Sequence, residues 1–448
     1  MMCFDRREFL KWTGVAALGA VASVAGGCAY PTPAPVPGIT TELLKVGLYS
    51  WAEITYLSAQ THWLGLRYAR IGGLMSDSVM TFCADHDIEV LLNVTPAAAR
   101  TSFDSDAAFI AGYLAQIDFA LNTYGPHGAF WTANPTLPHR PVAQIEVCNE
   151  PNFGYGFSGT PAEVASLYAQ VLIAAYDRIK ATWPEVLVVG FATGGASNAA
   201  PGFVSAALTA LQATGRLDCF DVMSLHPYSS NQPPDQVITE SWGTWVAIES
   251  MDDVRQLMVD FRIDKPLWIT EVGYQISHAD GGTFTNPANG FGTPETVTPT
   301  QQAAYTLRMN MAAARHDIRR VYHMSAMDTD NYNGGWFGPG PNHDPRLVAT
   351  AMRQVIQLLG GATDLEVVLD GGTASPGDPY AYRFSTPRGR VMVAWCQIPA
   401  TFKLPIDPEQ ETVVTDILGN TIATLRGSLY AATLSEAPIF LHSVSEHG

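Results

Sequence analysis

Two glutamates stand where a carboxyl group can do chemistry. Glu150 follows the apolar run Ala143–Cys148 within Asn149-Glu150-Pro151-Asn152, and Glu271 directly follows the run Pro266–Thr270. An acid placed just past a buried strand sits at the strand's carboxyl end, where it meets solvent rather than core. A pair of such groups supplies one acid to protonate a leaving oxygen and one carboxylate for the opposite face of a sugar ring, which is what cleavage of a glycosidic bond requires. Polar residues close other apolar runs in the same way: Arg70, Asn93, and the step His226-Pro227-Tyr228, with Asp328, Asp330 and Trp336 after the last. Rival chemistries lack their residues. No Gly-rich dinucleotide or phosphate loop follows the first run, and no Gly-x-Ser-x-Gly elbow is present. A metal-dependent hydrolase would want His-x-His where Gly47-Leu48-Tyr49-Ser50-Trp51 stands. No cofactor and no metal is expected.

The elements that must position these residues alternate. Strand candidates are Leu44–Ser50, Leu66–Ile71, Ile88–Thr95, Ala143–Cys148, Val186–Phe191, Phe220–Leu225, Pro266–Thr270 and Arg320–Met324. Helical periodicity fills Val79–His86, Asp106–Thr123, Pro161–Thr182, Phe203–Thr214, Trp242–Phe261, Thr300–His316 and Arg346–Leu359. Eight strands with intervening helices predict an α/β fold, a (β/α)8 TIM barrel rather than an open doubly wound sheet. Glu150 and Glu271 then close strands four and seven, and both face the mouth where such barrels keep their active sites. The Gly-, Asn- and Thr-rich stretch Gly281–Gly292 is long for a loop and reads as a substrate-side flap. Past Gly360-Gly361 the texture changes to short strands, Leu365–Leu369, Tyr380–Phe384, Val391–Cys396, Glu411–Asp416 and Ile439–Val444, with a hairpin turn at Leu418-Gly419-Asn420. This is a small all-β, sandwich-like module packed on the barrel. The resulting organisation is a leader at 1–30, a linker at 31–41, a barrel at 42–360 and a β domain at 361–448.

A formal charge of −17 excludes a nucleic-acid reader built on a basic face. Asp5-Arg6-Arg7-Glu8-Phe9-Leu10-Lys11 resembles a twin-arginine export signal, and the apolar stretch Val15–Ala25 behind it is too short to span a bilayer. Ala25-Gly26-Gly27-Cys28 offers two outcomes, acylation of Cys28 as a lipoprotein or ordinary cleavage after Ala29. Pro31, Pro33, Pro35 and Pro37 make a semi-rigid spacer. The protein is expected outside the cytoplasmic membrane, secreted or anchored to its outer side. Cys83, Cys148, Cys219 and Cys396 show no metal-site spacing, and no disulfide is expected. Nothing bears on oligomeric state.

The Asn149-Glu150-Pro151 triplet, the Thr270-Glu271 strand end and the His226-Pro227-Tyr228 step together resemble clan A, the retaining glycoside hydrolases on (β/α)8 barrels. With the β module behind the barrel, the chain is most similar to glycoside hydrolase family 39, and next to family 5. It departs from the usual pattern at Cys148, where that group often has Trp. The resemblance implies a carbohydrate substrate, Glu271 as nucleophile, Glu150 as acid/base, and Asn149 on the sugar 2-hydroxyl. The nucleophile must stay ionised, and Arg70 is the candidate cation, a mouth residue that should matter little to stability. Tyr228 is placed to steady Glu271, and repulsion from Glu271 should keep Glu150 protonated. His226 either orients the site or is a satisfied buried histidine. Trp51 and Trp336 are either sugar-stacking platforms or core. The reading from another class is a non-catalytic carbohydrate-binding surface lipoprotein on the same scaffold.

Overall fold

The computed structural model describes residues 42–443, apart from 74, 196–198, 241–242, 277–296, 329–331 and 372–376. The leader, the Gly281–Gly292 stretch and Asp330 therefore lie outside the described residues. Eight parallel strands close a barrel: β1 Lys45–Ser50, β2 Tyr68–Gly72, β3 Glu89–Val94, β4 Gln144–Val147, β5 Leu187–Gly194, β6 Val222–His226, β7 Leu267–Val272 and β8 Arg320–Met324. Each pairs with its sequence neighbours, and β1 pairs with β8, Lys45 opposite Arg320. The strands are buried on both faces, which is why they read as apolar runs without alternation.

Interior packing is fixed by residue size. Leu91, Leu187, Val189, Val222, Trp268 and Tyr322 fill the barrel. A Cβ at Gly47 would overlap the Tyr322 ring, so the missing side chain on β1 makes room for the tyrosine of β8. Outside, helices cover the strands. Pro161–Thr182 and Pro299–Arg315 start alike, with proline in the first turn and a reciprocal cap, Thr160 with Glu163 and Thr298 with Gln301.

Between β6 and β7 the chain departs from the expected single helix Trp242–Phe261. An antiparallel hairpin, Val237–Glu240 with Gly243–Val246, comes first, and the helix is Glu249–Asp260. Thr239, Thr244, Trp245 and Val246 favour strand over helix, and this local preference outweighs the helical periodicity there.

Among the described residues the C-terminal module holds eight strands where five were expected. In chain order they are β9 Asp364–Leu369, β10 Pro379–Thr386, β11 Gly389–Cys396, β12 Ala400–Pro405, β13 Thr412–Thr415, β14 Thr421–Leu425, β15 Leu429–Leu434 and β16 Ile439–Ser443. Six form one sheet, ordered β9-β10-β11-β16-β13-β14, and β12 pairs with β15 as a second layer. The added strands β12, β14 and β15 carry many exposed residues, so their hydrophobic signal is weak. Alternation sorts the sheet's faces: Ala381, Met392, Ala394 and Leu441 face the second layer. Tyr380, Tyr382, Phe384, Val393, Trp395 and Phe440 instead join the core of the barrel's helices. Cys83, Cys148, Cys219 and Cys396 are buried thiols outside any disulfide. Among the described residues no helix is long and apolar enough to cross a membrane.

Candidate active site

The carboxyl end of the barrel gathers the polar residues of six strands around one guanidinium. Arg70, on β2, is fully buried, not a mouth residue as expected. Its Nε donates to Glu146 Oε2 at 2.7 Å, its Nη1 to Glu271 Oε2 at 2.8 Å and its Nη2 to Asn149 Oδ1 at 2.7 Å. The Tyr49 ring lies against its face, 4.5 Å away. Burial opposes its charge, but the carboxylates of Glu146 and Glu271 outweigh that and hold the guanidinium charged. Its removal would strand two buried carboxylates, so Arg70 is part of the packed interior.

Glu271 ends β7 with its second oxygen also engaged: Tyr228 Oη donates to Oε1 at 2.6 Å. The expected contacts of Arg70 and Tyr228 with Glu271 are both present. Glu150 is held differently. It sits in left-handed backbone (φ 40°), two residues after Cys148 in the same region (φ 68°). Its N–H donates to Ala192 O, and Asn152 ties the loop to β5 by exchanging bonds with the Gly194 backbone. Such conformations cost of order 1–3 kcal/mol each and survive only where the surroundings impose them. Gly194 is part of that imposition, because a Cβ there would come within 2.6 Å of the Glu150 carboxyl carbon.

Burial pushes the Glu150 carboxyl up to about 7, with Arg70 opposing and Glu146 adding to the rise. Desolvation thus does what repulsion from Glu271 was expected to do. His226 Nδ1 lies 3.0 Å from Glu150 Oε1, and Nε2 lies 3.0 Å from Thr270 Oγ1. Burial lowers the imidazole to about 4, so it is neutral, one nitrogen donating and the other accepting. The Thr270 hydroxyl serves either tautomer, so His226 can hold Glu150 both protonated and ionised. His226 is therefore a satisfied buried histidine that also orients the site.

Of the two tryptophans, Trp51 is partly exposed at the end of β1, its ring 4.6 Å from Tyr49, and it lines the mouth. Trp336 is only 1% exposed and packs beside His323, 5.3 Å between ring centres. A sugar platform needs an open ring face, so Trp336 belongs to the core. Asp328 takes a bidentate hold on Arg346 and is structural.

Two partners escaped the sequence reading. Glu146 is wholly buried and binds Arg70 and Asn93. Its signal was an acid inside the apolar strand Gln144-Ile145-Glu146-Val147. Ser224, whose Oγ donates to Glu146 Oε1 at 3.5 Å, had none, since hydroxyls in apolar strands are common. Glu150, His226 and Glu271 also bring ligand atoms within 4.8 Å of one another, the one such group that could hold a metal among the described residues. Arg70 already neutralises Glu271 from 2.8 Å, and both His226 nitrogens are engaged. A divalent cation would face that positive charge, so the donor set suits a carboxyl pair better.

No family model and no curated protein matches this chain. Solved structures do match its fold. A monomeric β-xylosidase from Caulobacter crescentus CB15 is similar over 89% of this chain and 95% of its own, at 12% identity and a TM-score of 0.55. A family 30 endoxylanase from Clostridium papyrosolvens C71 covers 89% and 96%, at 11% identity and 0.54. A glucosidase from Croceicoccus marinus covers 86% and 91%, at 13% identity and 0.56. A family 39 enzyme from Xanthomonas axonopodis pv. citri also matches, over 92% of this chain, at 13% identity and 0.52. At these identities the likeness defines the class of fold, a (β/α)8 barrel carrying a β domain, the architecture of structurally known family 39 and family 30 glycoside hydrolases.

Proposed function

We propose that the protein is a retaining glycoside hydrolase that cleaves O-glycosidic bonds of a poly- or oligosaccharide by double displacement. One observation carries this reading: carboxyl oxygens of Glu150 and Glu271 approach within 4.8 Å in contrasting environments. Retaining enzymes hold the two groups ~5–5.5 Å apart, and inverting ones leave ~6.5–9.5 Å for a water. Glu271, with Arg70 and Tyr228 on its oxygens, attacks the anomeric carbon. As the glycosidic bond breaks, Glu150 gives its proton to the leaving oxygen. The glycosyl ester on Glu271 is then hydrolysed by water, whose proton returns to Glu150. Asn149, its Oδ1 held by Arg70, keeps its amide group for the sugar 2-hydroxyl, a bond that strengthens in the transition state.

The paired arginines Arg6 and Arg7 and the apolar stretch behind them support export by the twin-arginine route. The protein would act outside the cytoplasmic membrane, lipid-anchored at Cys28 or released after cleavage. The mass of the mature N-terminal peptide separates these outcomes.

The test is turnover of aryl β-xylosides and of aryl glucosides in both anomeric forms, after the xylosidase and glucosidase among the matched structures, followed by a polysaccharide panel. The first product should keep its anomeric configuration by NMR, and Glu271→Ala should be inactive. Inverted product overturns the mechanism. Carbohydrate binding without turnover, unchanged in Glu271→Ala, would favour a non-catalytic binding protein.

A further inference from the structure

We infer that the C-terminal β domain is a brace for the active site, and that Trp395 and Gln397 are positioning residues acting through Asp235 on Tyr228. This rests on the glycosidase reading for its kinetic arm only. Tyr228 lies at the start of the long segment from β6 to the Glu249–Asp260 helix, and its hydroxyl donates to Glu271 Oε1. The segment is irregular: Ser230 and Asn231 lie in left-handed backbone, at φ 49° and 62°. Its first half, 227–236, precedes the hairpin and has no regular pairing of its own, so its course depends on anchors.

Those anchors are buried and come from two sources. Near the site, Asn231 Oδ1 accepts from the Gln275 N–H at 2.8 Å, and Trp245 of the hairpin donates to Tyr228 O at 3.4 Å. At the far end is Asp235, only 2% exposed. Its carboxylate is gripped by Arg308, from the Pro299–Arg315 helix, through both Nε and Nη2. The same carboxylate accepts from Trp395 Nε1 of the β domain at 3.0 Å, and its backbone carbonyl accepts from Gln397 Nε2 at 2.8 Å. Arg308 in turn donates to Glu436 O at 3.5 Å, closing the circuit between barrel and β domain.

The β domain holds its half of the clamp rigidly. The Trp395 ring stacks on Tyr380 at 4.8 Å and 6°, and meets Tyr382 edge-on at 5.3 Å. An indole so confined offers its N–H in one direction, and that direction is Asp235. Next to Asp235, the Ile248 N–H donates to Pro234 O, which ties the start of the Glu249–Asp260 helix to the same stretch. The route from β domain to nucleophile is Trp395 and Gln397, Asp235, the 226–248 segment, Tyr228, Glu271.

The experiment compares wild type with Trp395→Phe, which keeps an aromatic ring against Tyr380 but is smaller and loses the indole N–H, and with Gln397→Ala, which removes the other donor without touching the aromatic stack. Val414→Ala is the control. It opens a cavity in the β domain's other core, away from the clamp. Hydrogen exchange should quicken in segment 228–248 for both clamp variants and not for the control. With substrate, kcat should fall about tenfold, as expected for a misplaced reacting group, while KM changes less. In a Tyr228→Phe background the same clamp substitutions should cost nothing further. Unchanged exchange in 228–248, or losses additive with Tyr228→Phe, would overturn the brace. An inactive wild type would instead remove the glycosidase reading, and the exchange arm would still decide the brace.

Discussion

Both ends of the barrel bury an arginine among acids and aromatic rings, yet the two ends are built differently. At the carboxyl end Arg70 meets three acceptor side chains, Glu146, Glu271 and Asn149, and one ring face. At the amino end Arg320 pairs with Glu89 at 2.6 Å and with Gln144 at 3.0 Å through the same nitrogen. Its guanidinium lies over the rings of Trp268 and Tyr68, with Lys45 over Tyr68 as well. The upper end thus concentrates acids, Glu146, Glu150 and Glu271, around one cation. Under the proposed mechanism, that arrangement would stabilise positive charge developing on a sugar. The lower end puts two cations against aromatic faces, which closes the barrel floor. Burial and charge are common to both, and the difference lies in whether carboxyl oxygens are held converging on open space.

Four experiments can break or sharpen this contrast. The largest effect is expected from Glu271→Ala, which should abolish turnover and the covalent intermediate detected by mass spectrometry. Glu89→Ala at the other end should leave kcat/KM within about twofold and lower only the melting temperature, as expected for a group remote from the transition state. Comparable losses at both ends would erase the distinction.

Next, Glu150→Ala should lower turnover of poor leaving groups by roughly 10²–10⁴. Aryl glycosides with good leaving groups should still form the intermediate, and azide should speed its breakdown. Identical azide responses in the Glu150 and Glu271 variants would reverse or remove the role assignment.

Arg70→Met should reduce both activity and stability, the latter by ~3–5 kcal/mol, because it leaves buried carboxylates unpaired. Arg320→Met should reduce stability while leaving kcat/KM near wild type. Denaturant melts alongside pH–rate profiles measure both. An Arg70 variant as stable as wild type would contradict the buried network.

The smallest effect is in the pH response. Glu150 must be protonated for the first step, so with its carboxyl raised by burial to about 7, activity should fall as pH rises through about 7. His226, lowered to about 4, stays neutral over that range. The raised carboxyl also favours the folded state below the ordinary 4.5, an advantage lost as pH rises to about 7. Glu150→Gln should therefore gain roughly a few degrees of melting temperature over wild type at pH 8 but not at pH 4. Equal melting temperatures at both values would show Glu150 to be solvated.

The sequence by itself determined the barrel and the polar residues at its carboxyl end. Strands buried on both faces leave continuous apolar runs, and β8 matches its expected limits at Arg320–Met324, as does the helix Pro161–Thr182. A strand's carboxyl end can be found wherever such a run stops, so Glu150, Glu271, Arg70, His226 and Tyr228 were all legible from position alone. The hairpin at 237–246 and strands β12, β14 and β15 were not, because half-exposed strands carry weak patterns that neighbouring chain must stabilise. Three other features belong to tertiary structure alone. Glu146 became a partner of Arg70 only because β2 and β4 aim their side chains into the same barrel layer. Trp336 left the mouth because the chain after β8 folds it against His323. The high proton affinity of Glu150 came from desolvation, a property of everything packed around a residue rather than of its neighbours in sequence.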